Sequence, residues 1–178
     1  VQTCALPILE AFGAILVEGP KWTGKTTTAM QHAKSVIKMQ DPDKADEYLE
    51  TAATIPSLLL KGEKPRLIDE WQDAPKIWDA VRVAVDDSGG LPGQYILTGS
   101  NTVDKTKIRH TGTGRITRMK MYPMSLWESK DSSGNVSIRE LFYNPSYDID
   151  GAVSNLDIPE LIRVACRGGW PVTLQMNE

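Results

Sequence analysis

The chain carries short apolar stretches separated by polar, turn-forming segments. Gly13-Ala14-Ile15-Leu16-Val17-Glu18-Gly19 is a continuous apolar run ended by an acid and a glycine. A strand covered on both faces has no need to alternate, so this run predicts a buried parallel strand. Pro65-Arg66-Leu67-Ile68-Asp69-Glu70 predicts a second strand, ending in two acids. Gln94-Tyr95-Ile96-Leu97-Thr98-Gly99-Ser100 predicts a third. Gly114 to Met121 alternates polar and apolar residues, which predicts a fourth.

Helices are expected between these runs. From Lys25 to about Met39 there is no Gly or Pro, and a helix is expected until Asp41-Pro42-Asp43 turns the chain. Residues 43 to 62 suit helical pieces interrupted at Pro56. From Pro75 to Asp86, Ile77, Val81, Ala84 and Val85 share one helix face, with Pro75 well placed at the start. Strand, helix, strand, helix, strand predicts an α/β fold with a mainly parallel sheet. Ligands of such sheets sit beyond the carboxyl ends of the strands.

After Tyr122 the pattern changes. Asp131-Ser132-Ser133-Gly134-Asn135 predicts a loop, and residues 144 to 156 are turn-rich. Ile158, Leu161, Ile162, Ala165 and Cys166 then make a helical apolar face stopped by Gly168. The expected organisation is a doubtful extension over residues 1–8, a nucleotide-binding domain over 9–130, and over 131–178 a linker and the first helix of a second, truncated domain. The start at Val1 and the end at Glu178, soon after Gly168-Gly169-Trp170-Pro171, suggest a fragment.

Composition narrows the class. At 40% hydrophobic and 24% charged, the 178 residues suit a globular domain with a real core. A net charge of −3 makes no general nucleic-acid surface, though local basic patches remain open. Cys4 and Cys166 lack any metal-like spacing and fit a reducing cytoplasm. No apolar run is long enough to span a bilayer, and the first residues carry no positive charge of a signal peptide. His32 and His110 have no ligand-like partners and are given no role.

The chemistry begins after the first strand. Gly19-Pro20-Lys21-Trp22-Thr23-Gly24-Lys25-Thr26 fits GxxxxGK[ST] in full, and Thr27 follows. Glycines let the backbone approach phosphates, so the loop N–H groups form an anion nest at a helix start. Lys25 is expected to reach the β- and γ-phosphates, and the Thr26 hydroxyl to ligate magnesium. Pro20 has no N–H to donate. Trp22 is bulky, and packing over the loop is favoured over stacking on the base.

Asp69 and Glu70, delivered by the second strand, suit the rest of an ATPase site. Asp69 would hold magnesium and Glu70 would orient the attacking water. The paired acids favour hydrolysis over a small-molecule kinase, which stays open as the alternative. Thr98, Ser100 and Asn101, at the end of the third strand, are candidates to sense the γ-phosphate. Lys105, Lys107, Arg109, Arg115, Arg118 and Lys120 form a basic stretch without an acid. It suits an arginine finger, nucleic-acid backbone contact or a solvated face. Arg115, behind the glycine-flanked loop Gly112-Thr113-Gly114, is the first choice of finger and Arg118 the second.

The run from Leu9 to Thr27 resembles prokaryotic AAA-type ATPases that carry a C-terminal domain of unknown function. So do Leu67 to Pro75, Leu97 to Ser100, and Gly114 through Glu128. The resemblance covers residues 9 to 171. It implies an AAA-like P-loop NTPase core, a three-layer α/β sandwich, with ATP and magnesium as ligands. Residues 1 to 8 depart from it, and 40 to 62 is short for the usual second strand and its helix. The partners expected are ATP, a second copy of the chain, and a protein or DNA client, with ATP driving a switch or motor or controlling a nucleic-acid-binding regulator.

Overall fold

In the computed structural model, residues 2–100 and 111–174 are described. The chain divides into two compact units, Val1–Tyr122 and Pro123–Glu178.

The first unit is built on a parallel sheet. Its strands are β1 (Ala14–Glu18), β2 (Ser35–Lys38), β3 (Arg66–Asp69), β4 (Tyr95–Gly99) and β5 (Ile116–Lys120), in spatial order β2-β3-β4-β1-β5. Every neighbouring pair runs parallel. The helices are α1 (Gln2–Ala11), α2 (Lys25–Met30), α3 (Ala45–Thr54) and α4 (Lys76–Asp87).

The core shows why the central runs do not alternate. Along β1, Ala14 and Leu16 join one buried cluster and Ile15 and Val17 the other. On β3 and β4, Ile68 and Leu97 join the first cluster while Leu67 and Ile96 join the second. The first cluster takes Ile77, Trp78, Val81 and Val85 from α4 and Ala52 from α3. The second takes Leu9 from α1 and Ala29 from α2. The sheet is therefore packed on both faces, the three-layer arrangement expected of a parallel sheet.

The expected helix over 25–39 is corrected. The helix α2 stops at Met30, and residues 35–38 form β2, paired in parallel with β3. The local pattern has period two: Ile37 and Met39 are buried, Val36 and Lys38 exposed. Lack of Gly and Pro hid this strand, because that signal marks only where a helix is not forbidden. The missing second strand of the 40–62 stretch thus lies before Asp41.

In the second unit, α5 spans Ile138–Tyr143 and α6 spans Ile158–Arg167. Asp157 caps α6 in a capping box with Glu160, and Gly168 ends it. Arg167 pairs with Asp131 at 2.5 Å and holds that carboxyl below its ordinary range. Among the described residues, no helix is long and apolar enough to cross a membrane.

Candidate nucleotide site

Parallel register brings the chemistry to one end of the sheet. Glu18 of β1 pairs with Gly99 of β4, and Thr98 of β4 pairs with Asp69 of β3. The loop leaves β1 at Gly19, where an added Cβ would stand 2.1 Å from the Met121 carbonyl oxygen. That close approach follows from the Met121 N–H donating to Glu18 O at 2.7 Å, which fastens the end of β5 against the loop. Gly24, at φ 89, turns the chain into α2 in a conformation that favours glycine.

The loop closes on the carbonyl of Pro20. Lys25 Nζ donates to it at 2.6 Å and Thr23 Oγ1 at 3.0 Å. Sequence reasoning marked Pro20 for its missing donor and overlooked its acceptor. Lys25 is buried, at 6% exposure. Burial holds its amine below the usual lysine range, while Glu70 and then Asp69 pull it upward and Lys21 adds to the lowering. A phosphate would supply the compensating negative charge.

Trp22 departs from expectation. Its side chain is 78% exposed, so it does not pack over the loop, and its backbone lies at φ 64. A bulky residue held in that region is strained by about 1–3 kcal/mol.

The acids meet the loop. Thr26 Oγ1 donates to Asp69 Oδ1 at 2.7 Å, and Thr98 Oγ1 donates to the same oxygen at 2.5 Å. Glu70 follows at φ 57 and ψ 45, a second strained, non-glycine position. A cavity of about 320 Å³ is lined by Lys21, Trp22, Gly24, Lys25, Thr26 and Thr27 of the loop and, across from them, by Gln40 and Glu70. A larger hollow, about 480 Å³, lies among Leu9, Glu10, His32, Pro65 and Gly93, away from the phosphate loop. It offers no comparable convergence of cations and hydroxyls.

Gln40 and Gln72 carried no motif. Gln40 Nε2 donates to Asp73 Oδ2 at 2.9 Å, and Gln72 Nε2 donates to Glu70 Oε2 at 2.5 Å. Ser100, half-buried, directly follows β4. Asn101, Lys105, Lys107, Arg109 and His110 lie outside the described residues.

The two candidate fingers sit apart. Arg115 precedes β5, at the end of the sheet away from the phosphate loop. Its Nε donates to Asp86 Oδ1 at 2.7 Å. The strand β5 places roughly 16 Å between Arg115 and Lys120, at about 3.3 Å per residue. Arg118 stands opposite Leu16 on β1, ion-paired to Glu18 at 3.2 Å and 5.2 Å from the Trp78 ring centroid. Lys120 lies over the Tyr122 ring at 5.1 Å.

The donor set suits a nucleotide with a hard divalent ion. Thr26 and Asp69 present a hydroxyl and a carboxylate oxygen side by side. Magnesium takes one or two such ligands and completes its shell with phosphate oxygens and water. Among the described residues no group of three or more His, Cys, Asp or Glu side chains is placed to hold a metal alone.

A family model described as an AAA domain matches residues 11–130. No curated protein matches the chain. Among solved structures, a single-substitution variant of Thermotoga maritima RuvB is 19% identical, covering 73% of this chain and 47% of its own, with a TM-score of 0.44. The FIGL-1 AAA domain in complex with ADP is 17% identical, covering 70% of this chain and 51% of its own, with a TM-score of 0.38. The chain spans about half the length of these two structures.

Proposed function

Because the chain belongs to the AAA-domain family, we propose that it binds ATP with magnesium, hydrolyses it, and uses the cycle to switch or drive a macromolecular partner. The supporting observation is the Asp69 carboxylate, which takes hydroxyl donors from the phosphate loop and from β4 at once, beside the cavity that Glu70 and Lys25 line.

Each residue then has a role. The loop amides from Lys21 to Thr26, with Thr27 behind them, cradle the phosphates. The Lys25 ammonium leaves Pro20 O and turns to the β- and γ-phosphates. Thr26 and Asp69 hold the magnesium. Bound magnesium supplies positive charge that neutralises the phosphate oxygens. Glu70 accepts a proton from water as the water oxygen bonds to the γ-phosphorus and the bond to the bridging oxygen breaks. Thr98 orients Asp69, and Ser100 and Asn101 are the candidates to sense the γ-phosphate. Arg115 lies too far along β5 to serve its own cavity, so its place as a finger is in a second copy of the chain, with Arg118 as the alternate.

Phosphate release from the full chain tests the reading, with ATP and magnesium, with EDTA, and with DNA or small hydroxyl acceptors added. Magnesium-dependent phosphate release supports it. Transfer to an acceptor without free phosphate would overturn it in favour of a kinase.

A further inference from the structure

Glu70 is gripped by the residue two positions on. Gln72 Nε2 donates to Glu70 Oε2 at 2.5 Å, within the turn that follows β3. The other end of that amide, Gln72 Oε1, is buried and has no hydrogen-bond partner among the described residues. Buried amides normally satisfy both ends, and an orphaned acceptor weighs against the fold. The amide keeps this pose because of what lies behind it. Gln72 rests against Gly99 at the end of β4, where an added Cβ would stand 2.5 Å from Gln72 Oε1 and 3.0 Å from Trp71 Nε1. Only a residue without a side chain leaves the amide its place.

The backbone contributes as well. Glu70 occupies φ 57 and ψ 45, a conformation that a non-glycine residue holds only when its surroundings impose it. The Glu70 carboxylate is thus aimed by a strained backbone at one end and an amide at the other.

The geometry points to Gln72 as the positioning residue for Glu70: its amide fixes one carboxylate oxygen and leaves the other for the water, with Gly99 as the floor that sets the amide. This rests on Glu70 being the proton acceptor of ATP hydrolysis. Misplacing a reacting group by about 1 Å lowers rate on the order of 10²-fold, so the grip matters for turnover and not for nucleotide affinity.

The test uses the full chain and measures phosphate release from magnesium-ATP beside affinity for the non-hydrolysable analogue AMP-PNP. Gln72→Glu keeps length and shape but loses the donor. Gln72→Ala removes the side chain, and Gly99→Ala pushes it aside. Each is expected to lower kcat by roughly 10- to 100-fold, with AMP-PNP affinity unchanged. The Gln72→Ala/Gly99→Ala double variant should fall no further than either single one, because both act through one contact. Full kcat in Gln72→Glu, affinity falling in step with kcat, or multiplied losses in the double variant would each overturn the inference. A wild type that binds AMP-PNP but releases no phosphate overturns the hydrolysis reading and this one together. A wild type that hydrolyses ATP while Gln72→Glu keeps full kcat overturns this one alone.

Discussion

The hydroxyl of Thr26 donates to Asp69 Oδ1 across 2.7 Å, joining the phosphate loop to the end of β3. The contact puts a hydroxyl and a carboxylate where one cation can use both. Asp69→Asn keeps the shape and removes the charge. Loss of a charged ligand should raise the magnesium concentration for half-maximal turnover by at least about 10-fold. A magnesium titration of phosphate release checks this, and an unchanged midpoint would remove Asp69 from the metal site.

Lys25→Ala deletes a buried cation that lines the cavity. Affinity for ATP, read by calorimetry, and turnover should both collapse. Normal binding and normal turnover in that variant would dismiss the phosphate-loop assignment.

Glu70→Gln retains shape and hydrogen bonding without a basic oxygen. ATP should bind as before, while hydrolysis slows by roughly 10²- to 10⁴-fold, the usual contribution of a general base. Single-turnover phosphate release separates the two effects. An unchanged rate would mean that the water is activated elsewhere.

Two lysines set a pH dependence of stability. Burial, with Arg66 adding to it, pulls Lys64 down to about 8, even though its amine donates to Leu60 O and lies 3.7 Å from the Tyr95 ring centroid. Burial lowers Lys25 as well. Between about 8 and the unfolded lysine value of about 10.4, the unfolded chain binds the Lys64 proton and the folded chain does not. Folding stability should therefore rise with pH across that window. Denaturant melts from pH 7 to 10 should show the rise, and Lys64→Met should flatten much of it while Lys25 keeps a remainder. A slope untouched by Lys64→Met would mean that this amine is not held low.

Arg115→Ala should bind ATP normally and hydrolyse it slowly, since a finger is worth about 10³ to 10⁵ in rate. Mixing Lys25→Ala with Arg115→Ala should restore activity, because one protein keeps the arginine and the other the cavity. Failure to recover, with mixed assembly demonstrated by crosslinking, would confine Arg115 to its ion pair with Asp86. The same mixture with Arg118→Ala then decides for the alternate.

Legibility followed burial. The strands β1, β3 and β4 announced themselves because both faces are packed, leaving runs such as Ala14 to Val17 without a polar break. The edge strand β5 showed through its alternation from Ile116 to Lys120, whereas β2, also an edge, did not, because only Ile37 and Met39 carry its pattern and it follows α2 without a Gly or Pro. At the site, Lys25, Thr26, Asp69 and Glu70 were legible because spacing and strand ends suffice to bring them together. The Thr98 contact with Asp69 depends on strand order, which sequence does not state. Pro20 O and Gln72 act through local backbone shape, and exposure of Trp22 follows from a left-handed turn that no motif encodes.

The wholly parallel sheet gives the first unit two chemically different poles. One bears the phosphate loop and the two acids, and the other bears Arg115 paired to Asp86. If copies stack end to end, arginine pole on phosphate pole, the contact is not the self-complementary patch of a two-fold dimer. Such head-to-tail contacts are heterologous: each copy uses one surface to give and another to receive. They end only when rotation brings the last copy back to the first, as a ring, and otherwise continue as a helical filament. A pair of copies would then hold one completed cavity and one left open, so activity per copy should keep climbing past the dimer until the circle closes.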